Sequence, residues 1–430
     1  MLFTEDFLHY VWKFKLFNMR ELQTTQGENI EILSAGLHNF NSGADFQNAR
    51  LRIGDTLWAG NVEIHLSSAD WHKHKHTNDD AYKNVILHVV YKHNEEIITP
   101  DGKPLATLEL QNRIPPDLYL RYHELTYGNQ QIIPCEGSIK TVKPLSIQNW
   151  LTRVLVERLQ KKSEAVISTL QLNRGDWEET FYQFLAANFG FKVNALPFEL
   201  LAKSLPQNIL AKHKNSALQI EALIFGQAGL LNDEFTDGYP QKLKAEYGFL
   251  QKKYALQPIE KHLWKFMRLR PQNFPTIRLA QFTALVLQAN HLFSKILETQ
   301  SIPDLRKLFS NIVVNEYWIS HYRFDAESKP AVKTFGDASV DLLLLNTVSV
   351  FLYSYGSYHG QQQYTDRSLQ LLEDLPVEHN NIVDDFKDLG IKAKSAFESQ
   401  ALLELRNSYC NHKKCLQCGV GNQILNTSAS

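Results

Sequence analysis

Asp45, Glu63 and His65 form the set of residues in this chain with the most evident chemistry. Asp45 comes two residues after Gly43 and just ahead of Ala49 to Leu57. That stretch reads as a strand, a Gly54-Asp55 turn and the start of the hairpin partner. Glu63 and His65 stand two apart in the strand-like run from Asn61 to Leu66, a spacing that sends both side chains to one face. An acid at the mouth of a hairpin and two polar residues on the adjoining strand can converge on one point. Two carboxylates there suit Mg²⁺ or Mn²⁺, hard ions that prefer oxygen ligands. Such an ion lowers the pKa of bound water and steadies the leaving oxygen of a phosphodiester, while His65 orients or deprotonates the water.

Histidines crowd the same region. Six of the 16 fall within residues 65–93: His65, His72, His74, His76, His88 and His93. Trp71-His-Lys-His-Lys-His76 puts three imidazoles at alternate positions, on one face if the segment is extended. Three such imidazoles can bind Zn²⁺, Ni²⁺ or Mn²⁺, whereas the interleaved Lys73 and Lys75 also fit a solvated loop. His88 interrupts the apolar run from Asn84 to Tyr91 and is therefore expected to be buried with a partner. His65 and His88 can face one another across the sheet in some strand orders, and His88 is a further candidate ligand.

The chain has four cysteines, and Cys410, Cys415 and Cys418 make a C-x4-C-x2-C pattern, with Cys135 far upstream. Four thiolates in this spacing suit Zn²⁺ or an iron–sulfur cluster that ties the C-terminus to the strand region. Arg270-Pro-Gln-Asn-Phe-Pro-Thr-Ile-Arg278 reads as a rigid connector between helices, with two arginines able to bind phosphate. Asp176-Trp-Glu-Glu reads as a capped helix start.

The elements that position these residues change character near residue 139. Up to that point the apolar runs are short and rich in Val, Ile and Leu, as in Val85 to Tyr91 and Ala106 to Leu110. Beyond it the spacing is helical: helices are predicted over 146–172, 177–189, 218–231, 279–297 and 395–407, punctuated by prolines. The expected fold class is α+β, with an N-terminal mixed-sheet module (1–139), an all-α region (140–405) and a cysteine-containing tail (406–430).

Composition excludes several classes. With 43% hydrophobic and 21% charged residues, the chain is neither disordered nor collagenous nor disulfide-dense. No clean apolar run approaches the roughly 20 residues of a membrane span, and the N-terminus lacks a basic leader, so a cytoplasmic location without membrane association is expected. Neither a G-x-x-x-x-G-K loop nor a G-x-S-x-G elbow supports a nucleotide triphosphatase or an α/β-hydrolase. Charge is uneven: residues 1–139 hold 12 basic and 18 acidic residues, and 140–280 hold 20 against 12. That basic helical segment is the expected contact for nucleic acid, if there is one.

The order of Asp45, Glu63 and His65 resembles the PD-(D/E)xK nuclease fold. The resemblance implies Asp45 and Glu63 as metal ligands, with His65 where that superfamily carries lysine. Over nearly the whole chain, Gly-Ala-Asp-Phe-Gln-Asn-Ala, Trp-Ala-Gly-Asn-Val-Glu-Ile-His, Asn-Val-Ile-Leu-His-Val-Val and Leu-Ile-Phe-Gly-Gln-Ala-Gly-Leu-Leu are similar to an uncharacterised bacterial family, domain of unknown function 2851. That resemblance implies a cytoplasmic protein without an established activity. The expected function is a metal-dependent phosphodiesterase or nuclease-like protein, and the alternative is a non-catalytic module that binds nucleic acid or protein.

Overall fold

The computed structural model describes residues 4–39, 41–128, 132–310 and 312–426. The fold is α+β, a mixed sheet followed by a largely helical region, as the sequence predicts. Contacts divide the chain into two units, Met1–Trp150 with Leu405–Ser430, and Leu151–Glu404. The residues after Leu405 thus belong with the sheet.

In the first unit, helix α1 (Glu5–Lys13) starts at Thr4, whose hydroxyl accepts from the Phe7 amide, with Glu5 and Asp6 in its positive first turn. Strands β1 (Ile30–Ser34), β2 (Leu37–His38), β3 (Phe46–Ile53), β4 (Thr56–Ser67), β5 (Val85–Lys92) and β6 (Thr107–Glu109) form one sheet. Its order is β1-β3-β4-β5-β6, and the two-residue β2 also pairs with β3. β3 and β4 make the predicted hairpin, Ile53 opposite Thr56, with Gly54 at a φ of 56° in the left-handed region that glycine favours.

β4 runs unbroken where the sequence suggests two pieces. Gly60 allows this: a Cβ there would come within 2.4 Å of the Ile86 side chain and 2.6 Å of the Asn84 carbonyl. β4, β5 and β6 are parallel, so β4 cannot return to β5 through a tight hairpin. The crossover between them carries helix α2 (Asp70–Lys73) and two 3-10 turns, His76–Asn78 and Asp80–Tyr82. β5 is buried on both faces over most of its length, as its continuous apolar run predicts. Helix α3 (Pro116–Tyr127) completes the unit; Arg121 donates to the Leu425 carbonyl at 3.2 Å and Lys413 to the Thr126 carbonyl at 2.8 Å.

The second unit is largely helical. Trp177–Phe189 has the bounds its pattern predicts, with Asp176 capping the Glu179 amide at 3.0 Å. The run predicted over 279–297 is two helices, Pro275–Gln288 and Leu292–Glu298, because the chain turns at His291, whose φ is 49°. Asp337–His359 is helical throughout, with a π-helical turn at Leu344–Val348, and is long and apolar enough to cross a membrane by length and composition. This corrects the expectation that no run reaches that length: Ser, Thr, Asn and Tyr interrupt its apolar sequence without lowering its average enough. In this structure 61% of its most apolar window is buried inside the protein, the environment of a core helix.

Candidate metal centre

β4 and the crossover that follows it build the site. Val62 and Ile64 fill one face of β4, and Glu63 and His65 fill the other, all four buried. Asp45, one residue before β3, lies against the same place. Its backbone amide donates to Glu63 Oε2 at 3.1 Å, and its Oδ2 accepts from the Ile64 amide at 2.9 Å. The structure therefore brings Asp45, Glu63 and His65 together as the sequence predicts.

The crossover adds two imidazoles. His72, His74 and His76 do not share a face, because the segment is a helical turn and not an extended strand. Lys75 sits at a φ of 63° between α2 and the next turn. His74 and His76 turn towards His65, whereas His72 is exposed, 3.3 Å from Thr77 Oγ1 and 3.8 Å from Glu95. His65, His74 and His76 offer three ring nitrogens within 4.8 Å of one another.

Four distances define the centre. His65 Nε2 lies 3.1 Å from His74 Nδ1 and 3.6 Å from Glu63 Oε1. His76 Nε2 lies 3.2 Å from the same Glu63 oxygen, and Asp45 Oδ2 lies 3.2 Å from His9 Nε2. Donors about 2.0–2.1 Å from a single Zn²⁺ stand roughly 3.3 Å apart along a tetrahedron's edges, close to the first three spacings. Among the described residues neither ring nitrogen of the buried His76 has a hydrogen-bond partner, although Nε2 is near the Glu63 oxygen. Two atoms this close but off the hydrogen-bond axis are arranged like neighbouring ligands aimed at a shared point. The residues thus fit a divalent ion. Their imidazole-rich donor set suits Zn²⁺, Mn²⁺ or Ni²⁺ better than Mg²⁺.

Electrostatics agree with ligand roles. Burial and the neighbouring imidazoles push His65 down to about 4, and burial lowers His76, so both rings are neutral with a lone pair near pH 7. Burial, followed by the Asp45 carboxylate, raises Glu63 well above the usual carboxylate range. Glu63 therefore holds a proton that a bound cation would displace.

The predicted ligands do not all reach the centre. His88, fully buried on β5, is placed behind it: its Nε2 lies 2.8 Å from His65 Nδ1, the nitrogen facing away from the other ligands. Asp45 sits at the border, its Oδ2 shared between the Ile64 amide and His9. α1 also brings His9 to Asp45 and Glu5 close enough to act on Glu63 electrostatically, and local sequence pattern does not mark either as a site residue. Their only signal is an i, i+4 spacing on a helix some forty residues from the motif.

The cysteines are corrected more strongly. Cys135, Cys410, Cys415 and Cys418 are all free, and among the described residues they do not form a group with sulfurs at ligating separations. Cys415 Sγ is 3.9 Å from the Leu125 carbonyl, and Cys418 accepts from the Val420 and Gly421 amides. Burial, followed by the neighbouring thiols, pushes Cys410 and Cys415 up to about 12, so these thiols are protonated.

Fold and site together define an α+β protein with an imidazole–carboxylate centre on a mixed sheet. The chain belongs to the family described as Protein of unknown function (DUF2851), which it matches over residues 5–381. No curated protein and no solved structure matches it.

Proposed function

We propose that the first unit is a metal-dependent hydrolase of phosphodiesters that uses a transition-metal ion held by His65, His74, His76 and Glu63. The observation carrying this reading is the convergence of three imidazoles on one buried carboxylate. A divalent ion bound there would supply an activated water and stabilise developing negative charge. His65 and His76, both neutral, would bind through their lone pairs, Glu63 would bind as the carboxylate with its proton released to solvent, and Asp45 with His9 would stand beside the ligands to orient a water. His74 is exposed, which leaves that flank accessible to substrate. A cavity of about 650 Å³ adjoins His76 and is bordered by Trp58, Trp71, Tyr82, Lys83 and Lys103, room enough for a substrate with an aromatic or sugar ring.

A second reading, a non-catalytic module with a structural ion, is favoured by the donor count. Three histidines and a glutamate can fill all four tetrahedral positions, whereas catalytic zinc sites keep one open. Hydrolysis of bis-p-nitrophenyl phosphate separates the two. The protein is stripped with EDTA and reloaded with Zn²⁺, Mn²⁺ or Mg²⁺. Turnover with Zn²⁺ or Mn²⁺ that disappears in Glu63→Gln supports the hydrolase. Stoichiometric metal binding without turnover on this substrate or on a single-stranded oligonucleotide sinks it and leaves the binding module.

A further inference from the structure

The second unit contains a buried cation that has no carboxylate partner among the described residues. Arg278, on Pro275–Gln288, is 9% exposed. Its Nη1 donates to Gln281 Oε1 at 3.1 Å and its Nη2 to Asn273 Oδ1 at 2.7 Å, both neutral amides. Its Nε is buried and has no hydrogen-bond partner among the described residues. The guanidinium lies over Phe191, 4.5 Å from the ring centroid, and near Phe335 at 5.4 Å. Burial pushes Arg278 down to about 10, which leaves it charged at neutral pH, and among the described residues no carboxylate contributes to its shift. A buried charge is normally paired, because desolvating it alone is strongly unfavourable.

Arg278 lines a cavity of about 310 Å³ whose other walls include Phe191, Val193, Phe198, Leu269 and Leu342. The backbone here is unusual in two places. Phe191 has a φ of 48°, and Asn194 breaks the helical geometry while its side chain exchanges two hydrogen bonds with the Lys265 backbone. Left-handed conformations at bulky residues persist only where the surroundings hold them, often at ligand sites. Here that conformation sets a phenyl ring against the guanidinium.

We propose that this cavity binds a monocarboxylate with a short apolar body, its carboxylate on Arg278 and its body among the phenylalanines and leucines. Nη1 and Nη2 each spend one hydrogen on an amide, so three of the five N–H groups, the buried Nε–H among them, remain to meet a carboxylate. Arg278 is the single charged residue of this wall, whose polar members Asn194, Asn273 and Ser339 are neutral, and one cation favours a monoanion over a phosphate dianion. The connector from Arg270 to Arg278 therefore divides its roles: Arg270 is exposed, and only Arg278 is set to hold an anion.

Titration calorimetry on the full chain near neutral pH tests this with octanoate, 1-octanol and inorganic phosphate. Octanoate should bind with one site, with octanol and phosphate at least about tenfold weaker, the scale of a lost charge-assisted hydrogen bond. Arg278→Gln should lower octanoate affinity by a similar factor. Ala338→Trp fills the cavity from an exposed wall residue without altering the guanidinium, so it keeps the test open if the arginine variant fails to fold; it should abolish binding. The proposal is overturned if folded wild-type protein binds no octanoate, if octanol or phosphate binds as tightly, or if Ala338→Trp binds octanoate unchanged. None of these outcomes depends on hydrolysis by the first unit.

Discussion

His65 Nδ1 lies 2.8 Å from His88 Nε2. For His65 to ligate through Nε2, its proton must sit on Nδ1, so His65 donates and His88 accepts. Burial, with His65 and His76 nearby, pushes His88 down to about 2, which keeps it a neutral acceptor. Outer partners of this kind fix the tautomer and orientation of a ligating ring.

His88→Phe should therefore weaken Zn²⁺ binding roughly 10- to 100-fold without removing the site. His88→Gln, which can still accept, should recover part of that loss. Calorimetric titration of EDTA-treated protein reads both, and unchanged affinity in His88→Phe would show that His65 is not held by this bond.

Spacing in sequence and placement in space separate sharply at residues 72–76. His76→Ala should abolish stoichiometric Zn²⁺ binding, and His74→Ala should weaken it. His72→Ala should leave it unchanged, because His72 faces Thr77 and Glu95 on the surface. Equal losses in all three variants would mean that the segment binds as a flexible loop.

Lys162 gives a pH signature in the second unit. Its Nζ donates to Asn346 Oδ1 at 3.1 Å, and burial, with Arg158 nearby, pushes it down to about 7. Its unfolded value is near 10.4. Between those values the unfolded chain carries a proton that the folded chain does not, so this group makes stability rise with pH from about 7 to 10. Below pH 7 both states are protonated and its penalty is constant. Lys162→Met should raise Tm near pH 7 and flatten its pH dependence over that window; a slope identical to wild type would refute the assignment.

Gly226 permits two helices of the second unit, Ala217–Gln227 and Gly238–Tyr254, to touch. A Cβ at this position would fall 2.1 Å from the Tyr247 ring, which also donates to Gln227 at 2.9 Å. Gly226→Ala should destabilise by about 1–3 kcal/mol through overpacking, outweighing the gain in helix propensity. Thermal or urea unfolding measures it, and a stabilised variant would contradict the close approach.

Much of this protein follows from local pattern. Alternation and turn residues place the β3–β4 hairpin, the continuous apolar run marks β5 as covered on both faces, and the cap at Asp176 marks a helix start. The pairing of Glu63 with His65 follows as well, since a two-residue period on a strand is a local property. Tertiary structure decided which other groups meet them. Whether His74 or His72 turns inward depends on the helical turn and the left-handed Lys75 within a parallel crossover, which alternation cannot reveal. His9 reaches Asp45 only because α1 packs near β4, and Arg278 is buried because Phe191 and Phe335 close over it. Periodicity fixes which face of its own element a side chain takes; what waits opposite that face is set by long-range packing.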